Sequence, residues 1–234
     1  MTAFDYPVGP SVEPGPARAP QRVDLSGRYV RIEPLSSSRH GDDLFAAVGG
    51  EAQKRLWTYM GDGPFATRAE FMANISAKEA STDPLFFALI DGETQLCCGH
   101  AALMRIDRVH RVIEIGNIML GPALQRSRAA TEAMRLFAAY VFETLGYRRY
   151  EWKCNDLNAP SKRAALRLGF TYESVFRQHM IVKGRNRDTA WFSMLDSEWP
   201  ARRQSFETWL APENFDARGR QKVSLGALNG IGDA

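Results

Sequence analysis

Four residues, Gln125-Arg126-Ser127-Arg128, stand between an apolar run and an alanine-rich one, and their types suit the binding of an anion. The apolar run, 112–120, reads as a strand that breaks at Gly121-Pro122, and the alanine-rich run reads as a helix opening at Ser127. The first turn of a helix carries backbone N–H groups with no partner inside the helix, and the aligned peptide dipoles place positive charge there. Arg126 and Arg128 add two guanidinium forks suited to phosphate. Pro122 supplies no N–H and Gly121 tolerates unusual backbone angles, so the strand is expected to part from its neighbour at this break. Two near-parallel strands that splay beside a helix N-terminus leave a slot with unpaired amides along one wall. An extended, amide-bearing ligand with a phosphate at one end fits such a slot, and coenzyme A has that shape.

The elements that must hold this slot are legible from patterning. Residues 29–33 alternate with period two up to Pro34, a first strand. A helix is expected over 41–48, and Thr67-x-x-Glu70 is a capping box that starts a second helix reaching about Ala80. The apolar runs 85–90 and 96–106, joined by Asp91-Gly92, predict a hairpin, and the strand 112–120 follows. The helix predicted over 127–145 puts Ala130, Ala133, Met134, Phe137, Val141 and Leu145 on one face, with Gly146 as its stop. Residues 149–154 alternate Tyr150, Trp152 and Cys154 against Arg149, Glu151 and Lys153. Entered through a helix, that strand should run parallel to 112–120. A helix over 160–168 ending at Gly169, a hairpin of 176–182 with 188–195, and a short helix at 203–210 complete the reading.

Composition sets the outer limits. The chain has 234 residues, 44% hydrophobic and 24% charged, with a net charge of +3, the balance of an ordinary globular protein and too little charge to argue for nucleic acid. Cys97, Cys98 and Cys154 lack the paired spacing of a zinc or redox motif, and no two of the four histidines are spaced i, i+4, so no metal is expected. No apolar run approaches a membrane span and no signal pattern opens the chain, which makes the cytoplasm the expected location. Residues 1–24, with five prolines, are expected to form an extended arm lying over the domain or over a second copy in a homodimer. The domain proper is expected over 25–200, and 201–234 as a short helix with a loose, glycine-rich tail.

The pattern Glu114-Ile115-Gly116, a strand, a proline, Gln125, and then Ala130-Thr131-Glu132-Ala133 resembles the acyl-CoA-binding motif of the GCN5-related N-acetyltransferases, in the branch containing the ribosomal-protein N-terminal acetyltransferases and the spermidine acetyltransferases. Two customary glycines are replaced, by Arg126 and Arg128. Asn158-x-x-Ser161 followed by Leu168-Gly169-Phe170 is similar to the second half of the family signature, and Ala165 stands where many relatives carry a tyrosine acid. The resemblance implies an α+β (mixed α/β) fold: a central, mostly antiparallel mixed sheet of about seven strands, helices on both faces, and acetyl-CoA between the splayed fourth and fifth strands. It implies an acetyltransferase acting on a primary amine, a protein N-terminus or a small amine. The coenzyme would lie along Ile118, Met119, Leu120, Gln125, Arg126, Ser127, Arg128, Ala129, Ala130 and Thr131, with Asn158 and Ser161 on the opposite wall.

Attack of an amine on a thioester needs a neutral amine, a polarised carbonyl and a proton for the leaving sulfur. A backbone N–H between Ile118 and Leu120 would polarise the carbonyl. Glu114 is the candidate base, with His100 and His179 behind it, and Ser161 the candidate proton donor, as the resemblance implies for its branch. Trp57, Tyr59 and Phe65 would shape the acceptor pocket; packing of two short helices explains the same aromatics. Asn158 serves equally as a helix cap. Two other readings stay open: a non-catalytic acyl-CoA-binding sensor or scaffold, and a nucleic-acid phosphate ligand at Arg126 and Arg128.

Overall fold

The computed structural model describes residues 6–231. One mixed sheet runs through the molecule in the order β1-β2-β3-β4-β5-β6-β8-β7. Its strands are β1 (Leu25–Ser26), β2 (Val30–Pro34), β3 (Leu85–Asp91), β4 (Cys97–Asp107), β5 (Val112–Leu120), β6 (Arg149–Asn155), β7 (Thr171–Val182) and β8 (Arg185–Leu195). Every neighbouring pair is antiparallel except β5 with β6, which is parallel. The fold is α+β, as the resemblance implied. The sheet has eight strands rather than about seven, because the two-residue β1 pairs with β2 and is too short to leave a sequence signal.

Two hydrophobic layers clothe the sheet. Leu85, Phe87 and Leu89 of β3 face one layer and Phe86, Ala88 and Ile90 face the other, which is why this central strand reads as an unbroken apolar run. The first layer is closed by α3 (Arg128–Ala139) and α5 (Trp199–Leu210), the second by α1 (Ser37–Val48) and α2 (Arg68–Ala80). Thr67 and Glu70 form the expected capping box of α2. Ser127 caps α3, accepting the Ala130 N–H at 3.0 Å, and the helix loosens into a π turn, Tyr140–Thr144, before Gly146 at φ 75° turns the chain. The stretch expected as one helix over 127–145 is therefore two consecutive helical forms.

A buried carboxylate sets the end of β2 against α3. Glu132 accepts the backbone N–H groups of Arg28, Tyr29 and Val30 at 2.9, 2.6 and 3.1 Å. Gly27 passes so close to that carboxyl that a Cβ there would collide with it.

Over its described residues the proline-rich arm has no regular structure and lies on its own domain, one of the two placements expected for it: Ala17 N–H donates to Arg108 O and Arg18 N–H to Leu145 O, both at 2.9 Å. The C-terminal end departs from expectation. The helix expected over 203–210 begins at Trp199, whose following proline suits a first turn. The segment beyond it, expected to be loose, folds back as a wall that ends in the one-turn α6 (Leu225–Leu228), with Leu225 fully buried and Trp209 Nε1 donating to Gln221 Oε1 at 2.7 Å. Packing against α5 overrides the glycine content. Residues 1–5 and 232–234 of the expected arm and tail lie outside the described residues. Among the described residues no helix is long and apolar enough to cross a membrane.

Candidate functional site: a cleft between two parting strands

β5 and β6 pair through only three partners, Val112 with Arg149, Ile113 with Tyr150 and Glu114 with Glu151. Beyond them the strands separate while both continue, to Leu120 and Asn155. The parting therefore begins at Ile115, well before Gly121-Pro122. Its physical source is a β-bulge: the β4–β5 register shifts between His100 and Ala102, and Asn117 takes a positive φ of 48°. A bulge raises local twist and bends its strand, here away from β6. Gly121 has a different task from the one expected. Its N–H donates to Cys98 O at 2.8 Å, and a Cβ would meet that same oxygen at 2.8 Å, so close approach of β4 requires the glycine.

The gap opens into a cleft of about 1870 Å³. Every residue assigned to coenzyme binding, 118–120, 125–131, 158 and 161, lines it, as do Glu114 and Tyr59. At one end the amides of Arg126, Arg128 and Ala129 have no acceptor within the described protein, the arrangement required for an anion at a helix N-terminus. Arg126 sits at φ 59°, the left-handed conformation that a glycine would adopt freely, so the loop keeps its shape without the glycine. Arg128 is stacked between the rings of Tyr29 and Phe215, each 4.8 Å from its guanidinium carbon. Gln125 folds back, its Nε2 donating to Leu120 O at 3.0 Å, and the Thr131 hydroxyl is engaged by Ser127 O and Arg167 Nη1, both at 3.2 Å.

The opposite wall is α4 (Ala159–Arg167). Asn158 Oδ1 accepts the Ser161 N–H at 3.2 Å, a helix cap. Ser161 Oγ accepts the Trp152 indole N–H at 3.0 Å, and its hydroxyl also lies in hydrogen-bond contact with the Cys154 thiol. Gly169, at φ 92°, ends the helix turn and Phe170 packs on Tyr150 and Trp152. Ala165 is fully buried beneath, so no side chain reaches the cleft from that position.

The acceptor side differs from expectation. Trp57 is fully buried, its indole N–H donates to Val48 O at 2.8 Å, and it packs edge-on against Phe65 and Phe71 at 5.1 and 6.3 Å. Trp57 is thus core behind the cleft and the half-buried Phe65 packs against it; neither lines the cleft, as the packing explanation has it. Tyr59 does face the cleft, and its hydroxyl donates to Leu157 O at 3.1 Å across the gap. His100 is completely buried, with Lys78 Nζ at 3.4 Å and that lysine paired to Asp62 at 2.8 Å. Burial first, then the lysine charge, push its pKa down to about 3, so it is a neutral core residue and no base. His179, on β7, bonds Thr189 Oγ1 at 3.0 Å and does not line the cleft.

Glu114 is buried in an ion-pair array. Its Oε2 lies 2.6 Å from Arg105 Nη1 and 3.0 Å from Lys153 Nζ, and Lys153 also meets Glu151 at 2.6 Å. The array runs on through Arg149 to Glu173, at 2.7 and 2.6 Å. Lys153, Arg105 and Arg187, all at the cleft, have no site role on the sequence alone, where Arg187 stands out only as part of the basic cluster Lys183, Arg185 and Arg187. The alternation in β6 had already put Arg149, Glu151 and Lys153 on one face, and that was the available signal.

The family model described as an acetyltransferase (GNAT) domain matches residues 30–171. The chain belongs to the GCN5-related N-acetyltransferase family. The matching model is that of the branch to which the sequence motifs pointed. A crystal structure of a GCN5-related N-acetyltransferase from Brucella melitensis is 55% identical with a TM-score of 0.90, covering 92% of this chain and 98% of that one. A structure described as a probable acetyltransferase of the GNAT family, from Chromobacterium violaceum ATCC 12472, is 37% identical with a TM-score of 0.76, covering 84% of this chain and all of that one. The curated "Putative ribosomal N-acetyltransferase YdaF" of Bacillus subtilis (strain 168) is 30% identical over 102 residues, 44% of this chain. The matched stretch spans only 55% of that relative's length. Family membership implies acetyl-CoA as the donor, and the free amides and continuous cleft fit that molecule.

Proposed function

We propose that this protein transfers the acetyl group of acetyl-CoA to a primary amine, a small amine or a protein N-terminus, by direct attack of the amine on the thioester. The observation that carries the reading is the parted parallel pair β5 and β6, leading from the unsatisfied amides at the start of α3 to Ser161. Bound acetyl-CoA supplies the activated carbonyl. The amides of Arg126, Arg128 and Ala129 hold its diphosphate, and the open edge of β5 between Ile118 and Leu120 meets its amides and polarises the carbonyl. Ser161, already accepting from Trp152, donates to the departing sulfur. Glu114, held in place by Lys153 and Arg105, is the carboxylate at the cleft positioned to accept the amine proton through water. The protein N-terminus stays among the acceptors because the Bacillus subtilis relative is named a ribosomal acetyltransferase.

A non-catalytic sensor is the rival because two glycines and the tyrosine of many relatives are replaced, by Arg126, Arg128 and Ala165. Arg126 adopts the glycine conformation, which removes one of those three grounds. The deciding measurement is thiol release from acetyl-CoA over a panel of amines and peptides. Turnover supports the enzyme, and tight coenzyme binding without any turnover supports the sensor. Ser161→Ala is expected to lower kcat about 10- to 100-fold with coenzyme affinity unchanged, and an unaltered kcat would remove the serine from the mechanism.

A further inference from the structure

Beside Glu114 the cleft holds a cation, Arg187, for which the described residues supply no ion-paired carboxylate. Along the sheet face bearing Glu114, the carboxylates of Glu114, Glu151 and Glu173 are matched by Arg105, Lys153 and Arg149, each within ion-pair distance of a partner. Arg187 adds a further positive charge. It lies on β8 opposite Met180, and both line the cleft with Glu114 and Cys154. Among the described residues no carboxylate pairs with it, and its Nε is buried without a hydrogen-bond partner. An Nε removed from water needs an acceptor to replace the lost hydration, and the guanidinium's planar fork matches a carboxylate in two-point contact. The surroundings carry the same sign: besides burial, which comes first, Arg105, Arg187 and Lys153 all depress the pKa of His179, against Glu114 alone among the charges raising it.

We propose that Arg187 binds a carboxylate carried by the acyl acceptor, which makes the substrate class amines that bear a carboxylate, such as amino acids or acidic peptides, rather than polyamines. The inference rests on the acetyltransferase reading for its reaction but not for its binding site. A polyamine would bring several positive charges to an end of the cleft that already holds an unmatched one. Because Glu114 is already engaged by two cations, the incoming carboxylate meets Arg187 rather than a bare negative charge.

The test has two arms. In the first, kcat/KM is measured by thiol release for α-amino acids, their carboxamides, an acidic dipeptide and spermidine. The carboxylate-bearing amines should exceed the carboxamides by at least about tenfold, with spermidine poorest, and Arg187→Gln should erase the difference while the Kd for acetyl-CoA stays within about twofold. Comparing the free amino acids with the acidic dipeptide identifies the source of the carboxylate. In the second arm, N-acetyl amino acids and their carboxamides are titrated calorimetrically into protein saturated with coenzyme A. Binding of the acid alone, lost in Arg187→Gln and partly kept in Arg187→Lys, supports the proposal independently of turnover. Equal use of acid and carboxamide, spermidine as the best acceptor, or a preference that survives Arg187→Gln would overturn it. If coenzyme binds and nothing is acetylated, the enzymatic reading fails, and the calorimetric arm still decides the carboxylate site. If Arg187→Gln does not fold, Arg187→Lys gives the decision, since a compact ammonium cannot reproduce the two-point contact and should lower the preference severalfold.

Discussion

Arg126 separates backbone from charge at the phosphate end of the cleft. At φ 59° an L-residue carries strain that glycine does not, roughly 1–2 kcal/mol. Glycine returns about 0.5–1 kcal/mol of this through the greater freedom of its unfolded chain. Arg126→Gly is therefore expected to be neutral to about 1 kcal/mol more stable, a rise in Tm of up to about 4 °C for a chain of this size. Arg126→Ala keeps the Cβ and the strain, so its stability should stay within about 0.5 kcal/mol of the parent. Coenzyme affinity divides the variants differently. The guanidinium is exposed and has no ion-pair partner among the described residues, so on the proposed coenzyme placement either substitution removes one hydrated phosphate contact of about 1 kcal/mol, near fivefold in Kd. Thermal melts give the first comparison, and calorimetry with coenzyme A at low and high salt gives the second, with the parent showing the steeper salt dependence. A glycine variant less stable than the alanine variant would refute the backbone argument. An alanine variant binding coenzyme as tightly as the parent would refute the electrostatic one.

Three further outcomes are expected. His100 has its pKa lowered from 6.5 to about 3. The unfolded chain then takes up the proton first, so the contribution is complete above about pH 6.5 and is lost by about 1.4 kcal/mol per unit as pH falls. Urea melts at about pH 7 and about pH 5.5 should show His100→Gln losing about 1 kcal/mol less than the parent, and an equal loss would count against the buried neutral imidazole. Trp57→Ala should cost about 3–5 kcal/mol in the same assay, whereas a change under about 1 kcal/mol would return Trp57 to a pocket wall. Glu132→Ala strands three backbone amides beside β2 and should cost at least about 3 kcal/mol. It should also weaken coenzyme binding, because Tyr29 is the platform for Arg128; parental stability would show that those amides find water instead.

The sequence by itself determined the elements whose signals are local. The limits of β5 were read to the residue, because an apolar run ends at Gly121-Pro122. The capping box at Thr67, the Ser127 cap, the glycine stops at Gly146 and Gly169 and the Asp91-Gly92 turn each depend on a few adjacent residues. The family motifs brought together the cleft-lining residues 118–120, 125–131, 158 and 161 for the same reason: they lie on two short stretches with fixed spacing. Tertiary structure alone decided what depends on distant partners. Whether Trp57 and Tyr59, two residues apart, face core or cleft turns on where Phe65, Phe71 and Leu157 lie. Glu114 could have pointed to solvent. Lys153 and Arg105, from β6 and β4, fix it in an ion-pair array that no single segment encodes. The parting of β5 from β6 was expected from proline chemistry at Pro122, yet it arises from a bulge in pairing with β4, and register between strands is a property of both. Glycine content pointed to a loose C-terminal segment, but Leu225 and Gln221 found partners on α5. Burial of apolar surface against a remote helix is a free-energy term that local composition does not contain.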